Sequence, residues 1–298
     1  MHDSNEEVNP FFLSAHLSDS TVQEYSDSSN VRILRESLSM GIFPLSENDP
    51  GEISISGRDK QRAERLLGTL ERGDYYVDRV NLYSCLNILS RYLSYNGKVS
   101  YEILSVKDSE YALFPISQQG LFMLFGYAVQ RVPSQFRSEF RKSLVIKPKH
   151  HVWQLEMPEE LMTTKNYKKL LKRLAELTEL TPKKIPFSEH RPNSPIHYKN
   201  TQQFIYSEIN NIGGTQRSNE LDYINEYYYI YREVKLNRAR AIIREHIVKE
   251  LNFLFENVGF DAKIEVSGVP SVHDIEHKLI QLKAGDTGLD GIFDATRV

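Results

Sequence analysis

Residues 217–259 read RSNELDYINEYYYIYREVKLNRARAIIREHIVKELNFLFENVG, with no proline and with glycine only at the last position. Ser218 or Asn219 can cap the start of a helix here, and Gly259 can follow its end. We therefore predict one helix over about residues 218–258, roughly 60 Å long at about 1.5 Å per residue. Apolar side chains in its second half recur at steps of 4, 4, 3 and 4 residues, the spacing of one helix face: Ile243, Ile247, Leu251, Leu254 and Val258.

The first half of this predicted helix is rich in tyrosine. Consecutive tyrosines cannot all face one core, so some of them must meet a second surface. One interpretation is a helix that packs on two sides within its own chain. The other is a subunit interface, because tyrosine is enriched at surfaces between proteins. The candidate interface residues are Tyr223, Tyr227, Tyr228, Tyr229 and Tyr231.

The composition, with 40% hydrophobic and 26% charged residues among 298, is typical of a folded α+β protein. We predict a mixed fold, with a small β-sheet and hairpin region in the N-terminal half and the long helix, a short strand and a short helix in the C-terminal half. The predicted domains are an acidic N-terminal arm (1–30), an α+β body (31–180), a proline-rich linker (181–200) and a helical C-terminal region (201–298).

Within the body, periodicity predicts helices at 58–72 and 78–95, the second of them capped by Asp78, and strands over 98–155. The continuous apolar run Leu121–Arg131 favours a single buried strand, with Gly126 as a bulge. The strands are followed by a short helix, residues 165–178, whose outer side is basic.

Charge is unevenly distributed along the chain. Residues 1–30 contain six acidic residues and no lysine or arginine, whereas residues 131–191 contain fourteen basic residues against seven acidic ones. The basic helix either presents an ordinary solvated face or contacts nucleic-acid phosphates, since charge alone supplies sequence-independent binding. The candidate phosphate contacts are Lys165, Lys168, Lys169, Lys172, Arg173, Lys183 and Lys184.

Motifs for catalysis are weak. Phosphate-binding glycine loops and the GxSxG pattern are absent. His273 to His277 has the H-x-x-E-H form of a zinc peptidase, but the polar surroundings and the missing third ligand favour a solvated helix face. His150 and His151 lie in a segment that we predict to be extended, so they should point to opposite faces. The single Cys85 is expected to be structural, and we predict no enzyme activity, metal or cofactor.

Three stretches resemble tailed-bacteriophage portal proteins. The helix at 78–95 followed by NGKVSYEI (96–103) is similar to the front of that family, and LVIKPKHHVWQLEMP (144–158) is similar to its next strand. Residues 245–285, EHIVKELNFLFENVGFDAKIEVSGVPSVHDIEHKLIQLKAG, resemble its C-terminal pattern of helix, short strand, turn and helix ending in Ala-Gly.

The resemblance implies a ring-shaped homo-oligomer around a double-stranded DNA channel at a capsid vertex. Such a ring contacts capsid, terminase and neck proteins, belongs to the virion after assembly in the host cytoplasm, and has no catalytic residues. No signal peptide and no membrane-spanning segment are expected. The alternative is a nucleic-acid-binding accessory protein of a mobile element that uses residues 165–184; a metal hydrolase with His273 and His277 ranks last.

Overall fold

Helices and small antiparallel sheets make up the chain, which confirms the predicted α+β class. A computed structural model describes residues 12, 28–72, 80–106, 110–179, 205, 207–213, 226–286, 288 and 291–292. Its principal helices are α1 (Ser29–Ser39), α2 (Lys60–Arg72), α3 (Leu82–Asn96), α4 (Arg137–Phe140), α5 (Thr164–Glu179), α6 (Glu226–Asn257) and α7 (Val272–Ala284).

The strands are short and form three separate sheets. β2 pairs antiparallel with β3 and β7, β5 pairs antiparallel with β4 and β6, and β1 pairs with β8. The strand bounds are β1 (Glu52–Ser56), β2 (Lys98–Ser105), β3 (Tyr111–Pro115), β4 (Leu121–Leu124), β5 (Tyr127–Arg131), β6 (Leu144–Pro148), β7 (Val152–Glu156) and β8 (Lys263–Ser267).

The chain divides into two compact units, each built from separate stretches of sequence. The sheet unit comprises Met1–Gln23, Ile53–Glu156 and Val248–Glu265. The helix unit comprises the remaining stretches, namely Glu24–Glu52, Met157–Ile247 and Val266–Val298. Helix α6 contributes residues to both units. The predicted arm and linker lie almost entirely outside the described residues, so those two domain assignments stay predictions.

Each unit has an apolar cluster of its own. In the sheet unit the cluster draws side chains from both three-stranded sheets: Phe12, Ile116, Ala128, Val132, Val145 and Val152. In the helix unit it draws them mainly from the start of α6 and from α7: Ile230, Val234, Ala241, Ile275, Leu282 and Ile292.

Helix α3 begins later than predicted. Its cap is Asn81, whose side chain accepts a hydrogen bond from the backbone N–H of Ser84 at 3.2 Å. The predicted cap, Asp78, lies outside the described residues, four positions before the first helical residue. Gly97 ends the helix with φ 70°, a left-handed conformation that costs glycine little.

The prediction of a single buried strand over Leu121–Arg131 is wrong. The run folds into a hairpin in which Leu124 pairs with Tyr127 across a two-residue turn. Phe125 and Gly126 occupy that turn with φ 48° and 80°, the pair of positive φ values that a type I′ turn requires. Gly126 is therefore a turn residue rather than a bulge.

The long helix is shorter than the predicted range within the described residues, because residues 218–225 fall outside them. Helix α6 runs for 32 residues, about 48 Å at about 1.5 Å per residue. Ala241, Ile242, Ile243 and Arg244 make one full turn and are all buried. Burial on every side of this turn favours a helix packed within its own chain at that level.

Candidate nucleic-acid and subunit interfaces

Helix α5 presents its basic side chains to solvent. Lys165, Lys168, Lys169, Lys172 and Arg173 are all exposed. Because exposed lysines keep their hydration and their freedom to move, they can meet a phosphate backbone at little cost in desolvation. The arrangement can therefore bind a polyanion without reading a base sequence.

The opposite side of α5 holds the helix in place. Tyr167 is completely buried, and Leu170, Leu171 and Leu174 are buried beside it. The side-chain amide of Asn30 in α1 donates to the carbonyl of Leu174 at 3.5 Å. The basic side can consequently change without disturbing the residues that fix the helix.

Two of the five exposed cations of α5 have acidic partners. Arg173 donates to both carboxylate oxygens of Glu208, at 2.9 and 3.2 Å, and Lys172 lies 4.0 Å from Glu176. Within the part of the chain that the structure describes, Lys165, Lys168 and Lys169 have no ion-pair partner closer than 4 Å. We define these three lysines with Lys172 as the basic face. Lys183 and Lys184 lie outside the described residues.

The tyrosines of α6 separate into two groups. Tyr227 and Tyr231 are partly buried against the helix-unit cluster, and their rings stack at 6.2 Å with an interplanar angle of 10°. The ammonium groups of Lys235 and Lys283 lie 5.5 and 5.9 Å from the Tyr231 ring centre, within cation–π range. These two tyrosines are thus engaged by their own chain.

Tyr228 and Tyr229 form the more exposed group, in which the Tyr228 ring also contacts the Tyr227 ring edge-on at 6.1 Å. Their exposed fractions are 61% and 37%. An aromatic side chain left this open at a helix surface is typical of residues that become buried on association. We call Tyr228 and Tyr229 the tyrosine patch. Tyr223 lies outside the described residues.

Helix α6 also carries two arginines that are withdrawn from solvent, Arg240 in part and Arg244 almost completely. Arg240 donates to the carbonyl of Ser37 at 2.7 and 3.1 Å and to the side chain of Asn237 at 2.7 Å. Arg244 donates to the carbonyls of Ile42 and Pro270. These hydrogen bonds join the long helix to α1, to the segment that follows α1 and to the turn before α7, all in the helix unit.

Burial changes the acid–base properties of Arg244. It lowers the pKa of this guanidinium to about 10, and the neighbouring Glu245 acts in the opposite direction. Removal from water disfavours the charged form. The side chain still carries its charge at neutral pH, so its two carbonyl partners are needed to compensate a buried cation.

The H-x-x-E-H motif lies on α7, and an arginine of α6 contacts its glutamate. His273 and His277 are exposed on α7, and the Glu276 carboxylate accepts a hydrogen bond from Arg238 at 2.8 Å. Arg238 also reaches Glu160 at 3.2 Å. Among the described residues, no group of three or more His, Cys, Asp or Glu side chains is placed to hold a metal ion.

The expectation that His150 and His151 point to opposite faces is wrong. They belong to a 3-10 turn, Lys149–His151, that separates β6 from β7. Their ring centres lie 4.4 Å apart. Burial lowers the pKa of His151, and the nearby His150 and Lys147 add to this effect, so the charged form of His151 is disfavoured.

One surface was not predicted from the sequence at all. The sheet β4–β5–β6 has a solvent-facing side made of large apolar residues, because the run after Gly120 is a hairpin and not a central strand. The signal was present in its length, since eleven apolar-rich residues exceed the usual four to eight of a buried strand.

No protein-family model matches this chain, and no curated protein matches it either. Across the described residues, none of the helices is both long and apolar enough to span a membrane. Function must therefore be argued from the surfaces themselves.

Proposed function

We propose that this chain is a subunit of a ring-shaped homo-oligomer of the tailed-phage portal type. The observation that carries the proposal is the C-terminal order of elements: α6, β8, a Gly268–Ser271 turn and α7, ended by Gly285. This order is the one that the resemblance to portal proteins implies.

Surface properties support an assembled rather than a solitary state. The tyrosine patch on α6 and the apolar side of the sheet β4–β5–β6 leave large side chains in water. Monomers rarely keep extended apolar patches without a use for them. A ring offers that use, because every subunit buries two faces against its neighbours.

In this role the ring surrounds double-stranded DNA at one capsid vertex. It contacts the capsid, serves as the dock for the packaging terminase and later joins the neck proteins. The chain supplies shape and charge in such an assembly rather than catalysis. It belongs to the virion, after assembly in the host cytoplasm.

The test is the stoichiometry of the purified chain. Native mass spectrometry and negative-stain electron microscopy over a range of protein concentrations should reveal closed rings of many subunits with a central opening. A scaffold or capsid partner is added if the chain alone assembles weakly. A monomer or a dimer under every one of these conditions would exclude the portal role.

A second candidate is a nucleic-acid-binding accessory protein. The exposed basic face of α5, with its apolar side anchored in the helix unit, favours it. This candidate predicts salt-sensitive DNA binding by a chain that never closes into a ring. Measuring DNA affinity and mass on the same preparation separates it from the portal proposal.

A further inference from the structure

The sheet β4–β5–β6 has two unlike sides. Its inner side contributes Ala128 and Val145 to the apolar cluster of the sheet unit. On its outer side, register places Phe122 opposite Val129 and Val129 opposite Ile146. Three neighbouring strands thus carry one continuous apolar row on the outer side of the sheet.

Large apolar side chains are concentrated on this outer side and on the adjoining turn. Six of the twelve exposed large hydrophobic residues in the described structure belong to these fourteen strand residues and the Phe125–Gly126 turn. We call the six the apolar sheet face: Phe122, Leu124, Phe125, Tyr127, Leu144 and Ile146.

The area of the apolar sheet face is large for a monomer. The five strand residues are 46–57% exposed and Phe125 is 91% exposed. With about 150–250 Å² for a whole aromatic side chain and somewhat less for leucine or isoleucine, the face exposes roughly 600 Å². That area lies at the upper end of the range for the largest apolar patch of a typical monomer, about 300–600 Å². It is somewhat smaller than the roughly 800 Å² that each partner buries in a stable complex.

Phe125 has a backbone conformation that is unusual for an aromatic residue. Its φ of 48° belongs to the left-handed region, where asparagine or glycine is usual and an aromatic residue is strained. The backbone N–H of Lys149 donates to the carbonyl of Gly126 at 2.8 Å and holds the turn. A bulky ring kept in water at a strained position suggests a role in binding, because folding alone does not favour it.

Charge around the face favours a second copy of the same chain. Residues 121–151 contain six lysines and arginines and one acidic residue, a net charge of +5. Lys147 is paired with the buried Glu102, so the other charges of this segment sum to +4. The whole chain carries −3, so the other residues carry −8, the difference between −3 and +5. This basic segment, which carries the apolar sheet face, therefore finds an opposite net charge on another copy of this chain.

We infer that the apolar sheet face is an interface between copies of this chain, with Phe125 as the side chain that enters the neighbouring copy. This inference rests on the proposed function in one respect: the neighbouring copy is taken to be the next subunit of the ring. The apolar sheet face adds an interface on the sheet unit, whereas the sequence predicted interface residues only among the tyrosines.

The first experiment uses Phe125→Asn. Asparagine suits the left-handed turn better than phenylalanine, so the unfolding midpoint, measured at a dilution where both chains are dissociated, should stay the same or rise. Self-association, followed by sedimentation velocity, should weaken at least tenfold. Phe253→Asn removes another exposed phenylalanine, on α6, and should leave association unchanged. Unaltered association of Phe125→Asn would overturn the inference.

The second experiment labels the turn directly. Cys85 is buried, so Phe125→Cys provides one reactive thiol for an environment-sensitive fluorophore. Addition of unlabelled wild-type chain should shift the emission of this fluorophore, and the shift should grow with the concentration of wild-type chain. A shift with phosphatidylcholine–phosphatidylglycerol vesicles but not with wild-type chain would assign the face to membranes. Emission that is shielded at every dilution would mean that the chain covers its own face. Either result, or no shift with any addition, overturns the inference.

The two experiments also separate this inference from the ring. Rings that persist in Phe125→Asn leave the portal proposal intact and overturn the interface. Dimers that depend on Phe125, without rings at any concentration, leave the interface intact and overturn the portal proposal.

Discussion

At the scale of single residues, one buried ion pair joins the two three-stranded sheets of the sheet unit. Lys147 on β6 lies 2.6 Å from Glu102 on β2, and the Glu102 side chain is entirely buried. The other Glu102 oxygen accepts a hydrogen bond from the backbone N–H of Phe12 at 3.2 Å. A charge in this position is tolerated only while its partner remains.

Lys147→Met should therefore destabilise the chain by about 3–5 kcal/mol, because it leaves the Glu102 carboxylate buried without its cation. Lys147→Met with Glu102→Gln should recover at least half of that loss, since glutamine can still accept from Phe12. Chemical denaturation measures both. Lys263→Met is the control, because both side chains of the Lys263–Glu265 pair are exposed and such pairs contribute about 0–1 kcal/mol. Equal losses in the single and double variants would contradict this explanation.

A second residue-scale prediction concerns Asp274 in the capping box of α7. The hydroxyl of Ser271 first, and its backbone N–H next, donate to this carboxylate and lower the pKa of Asp274 below the ordinary 3.8. The ionised form is therefore favoured by folding. Its stabilisation is complete above pH 3.8 and is lost as the pH falls through the lowered pKa.

Thermal unfolding of wild type and Asp274→Asn tests the sign. The gap between their midpoints should narrow as the pH falls below about 3.5. Glu265→Gln, on an exposed glutamate outside the cap, serves as the control. A gap that does not change with pH would mean that the carboxylate charge plays no part in the cap.

Residues of this kind also show which contacts can be predicted from the sequence and which cannot. The Ser271 cap and the Gly285 stop were predictable, and the structure has both, because a helix cap involves neighbours along the chain. The burial of Arg244 was not predictable, because its acceptor Ile42 stands 202 positions away. Local hydrogen bonds can be inferred from spacing, whereas distant carbonyl acceptors become apparent only in the folded chain.

At the scale of elements, helices were predicted better than strands. Helix α5 has the predicted basic outer side and buried leucines because a period near 3.6 separates the two sides clearly. The Leu121–Arg131 run was misassigned because both sides of its hairpin are apolar, so alternation gives no signal. Only the Phe125–Gly126 pair marked the turn, and phenylalanine is rare at such a position.

The basic face of α5 gives the element-scale prediction. Glutamate at Lys168, Lys169 and Lys172 should weaken binding of the chain to double-stranded DNA. It should also flatten the dependence of log affinity on log salt by about 0.9 for each phosphate that the variant no longer neutralises. Folding should be spared, because these side chains are exposed. Fluorescence anisotropy at two salt concentrations provides the measurement.

A control for net charge is available elsewhere in the chain. Glutamate at Lys60, Lys249 and Lys263 makes the same change in net charge at exposed positions outside α5. If both triple variants lose affinity equally, DNA responds to overall charge. If neither loses affinity, the basic face is a solvated helix surface and the accessory-protein alternative loses its support.

At the scale of the whole molecule, a closed ring with one kind of contact requires two different surfaces on each subunit. One surface of a copy meets the other surface of the next. The apolar sheet face and the tyrosine patch are both rich in exposed aromatic residues. They are therefore the natural candidates for the two halves of one repeated contact between neighbouring copies.

Mixing two defective chains tests this pairing. Phe125→Asn removes the anchor of the sheet face, and Tyr228→Ser with Tyr229→Ser removes the tyrosine patch; each variant alone should fail to assemble. An equimolar mixture should form a dimer and stop there, because only one intact face of each kind remains and no further copy can add. Native mass spectrometry with one variant isotopically labelled identifies the mixed dimer.

Tyr231→Ser is the matched control. Tyr231 packs within its own chain, so this change should lower stability more than assembly. Two variants that remain monomeric when mixed would show that the two surfaces do not pair.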